Sequence, residues 1–426
     1  MKVGIRQKVL LDVLNKGAMA AISKEAQEDT SALSIIIKSI KITANDNFIV
    51  ESNDDLIATK YSVVAKEEFG VIVKEPGSIV IPAKEFINWV KNQGDDDSIT
   101  MTLQKLPTPE IINTLDDNDS SDSNSSASAK FSIKKIGTVR LSAKGTSKTQ
   151  TKWEMDCFDA DDKQSINYNE KTNKHFEISS QQFIDAIHTV KFAAIDKDPD
   201  HVLDGISMQV HNDELYFATT DMHNCAIYKI GGEKTIYAND PLIVSASLLD
   251  SICKIISKDD KVVLSYSPQK EKVYITQRDI NIRLACTEKK NISKFISVNM
   301  IMNKQYDPLA ECSKSLILSI LSNASVVNKR SALFTFSKDN KTLTVKALSE
   351  DSKLKPNIRQ CECDAILDSS IILSVKGLMS GIKVISDNDI KISVPANFKS
   401  VKIVPKEGDN FLYYSMAVVN PIYSQV

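Results

Sequence analysis

GISMQVHNDELYFATTDMHNCAIYKI, residues 205–230, decides the fold. Apolar and polar residues alternate along it, β-branched and aromatic side chains are frequent, and His211-Asn212-Asp213 breaks the pattern, so the stretch predicts a β-hairpin. The next segment, DPLIVSASLLDSICKIISKDD (240–260), starts with the same alternation and then shifts to a period of 3.6, which predicts a strand running into an amphipathic helix.

The pattern recurs on both sides. SIKITANDNFIVESNDDLIATKYSV (39–63), turned at Asn45-Asp46, is followed by GSIVIPAKEFINWVKNQG (77–94). LFTFSKDNKTLTVKALSED (333–351), turned at Lys338-Asp339-Asn340, is followed by SSIILSVKGLMSGIKVISDND (369–389). A helical period precedes each hairpin, in RQKVLLDVLNKGAMAAI (6–22), SSQQFIDAIHTVKFAAI (179–195) and SKSLILSILSNASVV (313–327); Ser179 and Ser180 offer capping hydroxyls to the second. Asp221 and Glu350 lie 129 residues apart, and so do Ser245 and Ser374, which open the second helices. Two landmarks with one spacing make the unit a repeat. Between the first and second copies the matching distances are 167 and 163 residues, so the first copy carries extra chain.

That extra chain includes LDDNDSSDSNSSASAK (115–130), an acidic, serine-rich run that buries too little apolar surface to offset its ordering entropy. It falls between strand-like SITMTLQK (98–105) and IGTVRLSAKG (136–145), predicting a disordered hairpin tip over about 113–130. The expected fold is α+β: three repeated domains, 1–172, 173–302 and 303–426, each with two helices packed on antiparallel sheet.

At 426 residues the chain exceeds one core, and 42% hydrophobic with 25% charged residues is the make-up of a folded globular protein. No uninterrupted apolar run reaches the roughly 18 residues that a membrane helix needs. The opening MKVGIRQKVLLDVLNKG lacks a signal-peptide core. The seven cysteines, thinly spread and odd in number, suit a reducing compartment, so a cytoplasmic location is expected. Cys361-x-Cys363 lacks both the spacing and the second pair of a zinc site, and no metal or cofactor is expected. Asp221 and His223 lie two residues apart, yet there is no nucleophile elbow, phosphate-cradling glycine loop or HExxH helix, and no catalytic site is expected.

A net charge of −2 looks unfavourable for a nucleic-acid partner, but the charge is segregated. Counting Lys and Arg against Asp and Glu, the helical segments 5–22, 82–93, 179–197, 245–258, 311–330 and 374–386 carry +2, +1, 0, +1, +2 and +2, which total +8. The remainder carries −10. Helices facing a common axis would line a basic channel inside an acidic exterior, attracting a duplex through its phosphates.

The threefold repeat, ATTDMHNCAIYK (218–229), IVIPAK (79–84) and the ending YYSMAVVNP (413–421) resemble the bacterial-type beta sliding clamp, the DNA polymerase III beta subunit family. The resemblance implies DNA-clamp domains in a head-to-tail dimeric ring, a non-enzymatic processivity factor that encircles duplex DNA. It implies as partners a DNA polymerase, a clamp loader, other clamp-binding-motif proteins and a second copy of the chain. The family's peptide groove, carried onto this sequence, takes Leu203, Thr220, Met222, His223, Cys225, Leu249, Ile252, Met416, Ala417 and Val419. Met222 replaces the family's usual glycine, Cys225 a leucine and Ser245 a proline. The DNA-facing set is Arg6, Lys8, Lys16, Lys84, Lys91, Lys191, Lys197, Lys254, Lys258, Lys314, Lys329, Arg330, Lys376 and Lys383. The dimer interface is expected at Val139 and Leu141 against Val326 and Val327. The competing expectation is a clamp-fold scaffold that binds peptides without DNA.

Overall fold

A computed structural model describes the chain outside residues 24–25, 28–32, 115–130, 146–149, 167, 169–173, 196–202, 212–213, 232–241, 268–270, 288–303, 329, 348–355, 409 and 418–426. The chain forms two compact units, Met1–Asn173 with Val262–Ala285, and Lys174–Lys261 with Cys286–Val426. The predicted second domain thus contributes chain to both.

In the first unit the sheet is antiparallel. Its strands lie in the order Lys261–Ser267, Lys272–Gln277, Ile280–Ala285, Ile57–Val64, Asn47–Asn53, Ser39–Ala44, Gly77–Pro82, Gln150–Phe158, Phe131–Lys144, Ser98–Thr114, Lys2–Arg6 and Val71–Glu75. Alternation carries Ile40, Ile42 and Ala44 into one core, where they meet Leu10, Val13 and Leu14 of helix α1 (Gln7–Gly17) and Phe86, Ile87 and Val90 of α2 (Ala83–Lys91). The helical pattern over 6–22 outruns the observed helix for a local reason. The Gly17 carbonyl accepts from the hydroxyls of Ser52 at 2.8 Å and Thr59 at 2.9 Å, and Ser52 Oγ also accepts from the Ala20 amide, so side chains replace the next ladder bonds. Gly17 is needed there because a Cβ would lie 2.5 Å from the Val50 carbonyl oxygen.

Strands Ser98–Thr114 and Phe131–Lys144 pair out to Thr114 opposite Phe131, with an irregularity between Lys105 and Glu110. They run further than the expected 98–105 and 136–145. The expected disordered tip over 115–130 lies outside the described residues. The placement of Val139 and Leu141 at a subunit interface is corrected. Both are fully buried in the core, and their strand is paired on both sides, with Ser98–Thr114 and with Gln150–Phe158. The free edge at this end of the sheet is Val71–Glu75, beside exposed Phe69 and Ile72. In the second unit Val326 is 83% exposed and Val327 half-buried.

The second unit holds a nine-stranded sheet in the order Leu242–Ser245, Gly205–His211, Glu214–Thr220, Asn224–Gly231, Phe411–Met416, Ser400–Pro405, Asp389–Val394, Asp307–Ser313 and Asp364–Ala365. A four-stranded sheet runs Asn357–Glu362, Thr342–Ala347, Ala332–Ser337 and Ser369–Leu373. Among the described residues four α-helices accompany them: α3 (Ser180–Val190), α4 (Ala246–Ile252), α5 (Lys314–Val327) and α6 (Val375–Lys383). Ser245 and Ser374, expected to open their helices, both act as caps. Ser245 Oγ accepts from the Leu248 amide and Ser374 Oγ from the Gly377 amide, while Ser179 rather than Ser180 caps α3 through the Gln182 amide.

Candidate peptide groove and helix faces

Within the second unit, Asn224–Gly231 pairs with Phe411–Met416, Asn224 opposite Ser415 and Tyr228 opposite Phe411. That pairing brings the turn at 221–223 beside the end of the last strand, where the Met416 amide donates to the His223 carbonyl at 2.8 Å. The turn is held by its own side chains. Asp221 Oδ1 accepts from the amides of His223 and Asn224, Oδ2 accepts from Asn224 Nδ2, and Thr220 Oγ1 donates to the Asn224 carbonyl at 2.8 Å while accepting from the Met222 amide at 3.0 Å. The Asp221 carboxylate is engaged in turn geometry rather than aimed at His223 as a base.

Met222 has φ 72, in the left-handed region that favours the glycine the resemblance implies there. Its side chain is 59% exposed and contributes no core packing that could offset the strain. Met222→Gly is therefore expected to stabilise the chain by up to about 1 kcal/mol, the strain relieved less the entropy glycine adds to the unfolded chain. The check is a urea midpoint that rises with unchanged slope.

The groove residues divide by depth. Met222, His223 and Met416 are exposed, with Leu203 and Ala417 half-buried. Thr220, Cys225, Leu249 and Ile252 are buried and present little surface. Cys225 joins Tyr216, Ala218, Ile227, Ile243, Leu412 and Tyr414 in a cluster on which Leu203 and Tyr306 pack, whereas Leu249 and Ile252 lie on the buried side of α4. Val419 lies outside the described residues. Burial pushes the Cys225 thiol up to about 12, with the Asp221 charge adding to the rise, so this sulfur is a packing atom.

The support beneath the turn includes residues absent from the sequence-based set. Tyr413 donates from its hydroxyl to Asn224 Oδ1 at 2.7 Å and meets Phe192 edge to face at 5.6 Å. Helix α6 approaches through two glycines: a Cβ at Gly377 would come 2.6 Å from Asn224 Oδ1, and one at Gly381 2.5 Å from the Tyr413 ring. Tyr306 and Tyr414 are 5.5 Å apart between ring centroids, and the Tyr306 hydroxyl lies 3.1 Å from Ser400 Oγ. The doubled tyrosine is visible in YYSM, but Tyr306, Asn224 and Phe192, 108 to 221 residues upstream, are not visible as its partners.

The helix cations have distinct surroundings. Arg6, Lys8, Lys84, Lys91, Lys258, Arg330, Lys376 and Lys383 are exposed. Lys191 and Lys254 are also exposed but converge on Asp250, which Lys191 hydrogen-bonds and Lys254 approaches to 3.2 Å, with His188 Nε2 at 3.4 Å. Burial pushes the Asp250 carboxyl up, yet the Lys191 and Lys254 hydrogen bonds and charges outweigh it and hold the group below its ordinary value. Lys16 is turned aside, 2.8 Å from Asp12 and over the Tyr61 ring. Lys314 donates to the Ile385 carbonyl just past the end of α6. Lys197 and Lys329 lie outside the described residues. Among the described residues, no His, Cys, Asp and Glu cluster could hold a metal, and no helix is long and apolar enough to cross a membrane.

Residues 177–298 match the family model of the DNA polymerase III beta subunit, central domain. Three solved structures illustrate the likeness over the full length. The DNA polymerase III subunit beta of Pseudomonas aeruginosa is 14% identical with TM-score 0.77, and the DNA polymerase sliding clamp of Caulobacter crescentus has the same values. A putative DNA polymerase III beta subunit of Eubacterium rectale is 18% identical with TM-score 0.75. In each case 99% of this chain and 100% of the other are covered. No curated protein sequence matches the chain. From end to end the chain therefore has the fold of the bacterial DNA polymerase III beta sliding clamps, and its residues 177–298 match the model of the beta subunit's central domain.

Proposed function

We propose that the chain is a DNA sliding clamp, a processivity factor with three domains at 1–172, 173–302 and 303–426. Two copies close head to tail, encircle duplex DNA without reading its sequence, and tether a replicative polymerase, the clamp loader and other clamp-binding-motif proteins. The observation that carries the reading is the coincidence of the clamp fold over 99% of the chain with exposed cations on or flanking each of α1 to α6. Cations on helix faces meet phosphates of any sequence, which favours retention by topology over tight local binding.

Partner docking would use a rim of exposed Met222, His223 and Met416 with half-buried Leu203 and Ala417. Two methionines on such a rim adapt to different apolar anchors, and a leucine or phenylalanine side chain is the fitting ligand. Buried Thr220, Cys225, Leu249 and Ile252 would act from behind, by fixing the turn and α4.

The test is the particle itself. At micromolar concentration the chain, 47.2 kDa as a monomer, is expected to sediment as a dimer and to appear in negative-stain micrographs as a ring with a duplex-wide hole. A monomer at that concentration, or a dimer without a hole, would overturn the reading.

A further inference from the structure

Cys312 and Cys363 are 51 residues apart in sequence and directly opposed in space. Strand Asp307–Ser313 pairs with Asp364–Ala365 so that Ala310 faces Ala365 and Glu311 faces Asp364; the next position in that antiparallel register sets Cys312 against Cys363. Opposed residues in such a ladder have Cα atoms about 4.5–5.5 Å apart, inside the span a disulfide bridges. The sulfurs lie 2.7 Å apart with no bond between them. The Cys363 amide is also tied to the Lys341 carbonyl at 2.9 Å, so the backbone is fixed on that side too.

The two thiols are each only 4% exposed, but both line a cavity of about 510 Å³. Lys341 with Asp364 and Lys406 with Glu311 stand around it as ion pairs of 3.5 and 3.0 Å. The volume falls in the range of small-molecule sites. The sulfurs are unequal, because the hydrogen bond from Cys312 lowers the Cys363 thiol below its ordinary value, while the same contact and burial raise Cys312. Burial instead pushes Cys157, Cys225 and Cys253 up to about 12 and Cys361 up to about 11, which leaves them resting thiols.

We propose that Cys312 and Cys363 are a redox-active cross-strand dithiol, closed to a disulfide by exchange with a low-molecular-weight disulfide that enters this cavity. The Cys363 thiolate attacks one sulfur of the small disulfide, forming a mixed disulfide and expelling one small thiolate. The Cys312 thiolate then attacks Cys363 Sγ, and the second small thiol leaves. Two protein thiols are oxidised and one small disulfide is reduced to two thiols, with the protons released to water or to the departing thiolates. In a reducing compartment the disulfides that do form are transient ones of this kind. Closure staples the nine-stranded sheet's Asp307–Ser313 strand to the chain leaving the four-stranded sheet at Glu362. The inference stands independently of the clamp reading.

Full-length protein is incubated with oxidised glutathione, quenched, alkylated and analysed by intact mass and by digestion without reductant. The expected result is a fall from seven alkylatable thiols to five, a mass lower by two hydrogens before alkylation, and one linked peptide pair joining Cys312 to Cys363. Tm should rise by on the order of 10 °C and return on treatment with a dithiol reductant. Cys361→Ser should keep the link and Cys363→Ser should lose it. Seven alkylatable thiols after oxidation, a link to any other cysteine, or loss of the link in Cys361→Ser would each overturn the proposal.

Discussion

Tyr413→Ala is expected to destabilise the second unit by about 4–5 kcal/mol, among the largest effects of any single substitution in the chain. The side chain is fully buried at the centre of the strand that pairs with Asn224–Gly231, edge to face with Phe192 and pressed by Gly381. Truncation leaves a ring-sized cavity that Gly381 cannot fill, and it strips Asn224 Oδ1 of the 2.7 Å hydrogen bond that anchors the 221–224 turn. Tyr413→Phe keeps the ring and removes the hydrogen bond alone, so it should cost only about 1–2 kcal/mol. Urea titration of the three proteins separates the two contributions. Equal losses in Phe and Ala variants would mean that the hydrogen bond, not the packing, holds this strand. Burial also raises the Tyr413 hydroxyl above its ordinary value, so its contribution is complete below about pH 10 and lost as pH climbs toward the folded value. The Phe variant should lose part of that alkaline fall.

Much of this arrangement was legible in the chain, and what escaped did so for physical reasons. The hairpins at 39–63, 205–230 and 333–351 and their following helices appear where alternation and the change to a helical period put them, because period and turn chemistry are local. Ser245 and Ser374 open their helices at the matched positions, and the structure adds that both cap them. Strand order is not local. Alternation at Val139 and Leu141 said that one face is buried, but only the pairing on both sides shows that it is buried in the chain's own core. Similarly, Leu249 and Ile252 carry the helical period of a packed face, and a groove wall has the same signature until the depth of each residue is known. Met222 stands where the resemblance implies glycine, and its positive φ gives that departure an energetic meaning. Sequence proximity pairs Cys363 with Cys361, whereas its partner in space is Cys312, brought opposite by register.

The substitution pair Lys376→Glu with Lys383→Glu separates a clamp from a peptide-binding scaffold of the same fold. Both lysines are exposed on α6, whose buried side is Val375, Leu378, Gly381 and Ile382, so the core is untouched. The helix ends also balance: a Glu in the first turn gains a few tenths of a kcal/mol from the helix dipole, and a Glu in the last turn loses about as much. Stability should stay within about 0.5 kcal/mol of the parent. Duplex affinity should not. Removing two phosphate contacts flattens the slope of log affinity against log salt by about 2, which at 0.1 M salt weakens binding by about 10- to 100-fold. Binding of a leucine- or phenylalanine-anchored peptide should be unchanged, because its rim at Met222, His223 and Met416 keeps both its geometry and its charge. A variant that holds duplex DNA as the parent does, at every salt concentration, would remove α6 from the DNA-facing surface. If the parent in turn bound peptide but no duplex, the scaffold would be the better account. Loss of DNA binding with peptide binding and stability intact leaves the clamp as the reading that joins the basic helices to the groove.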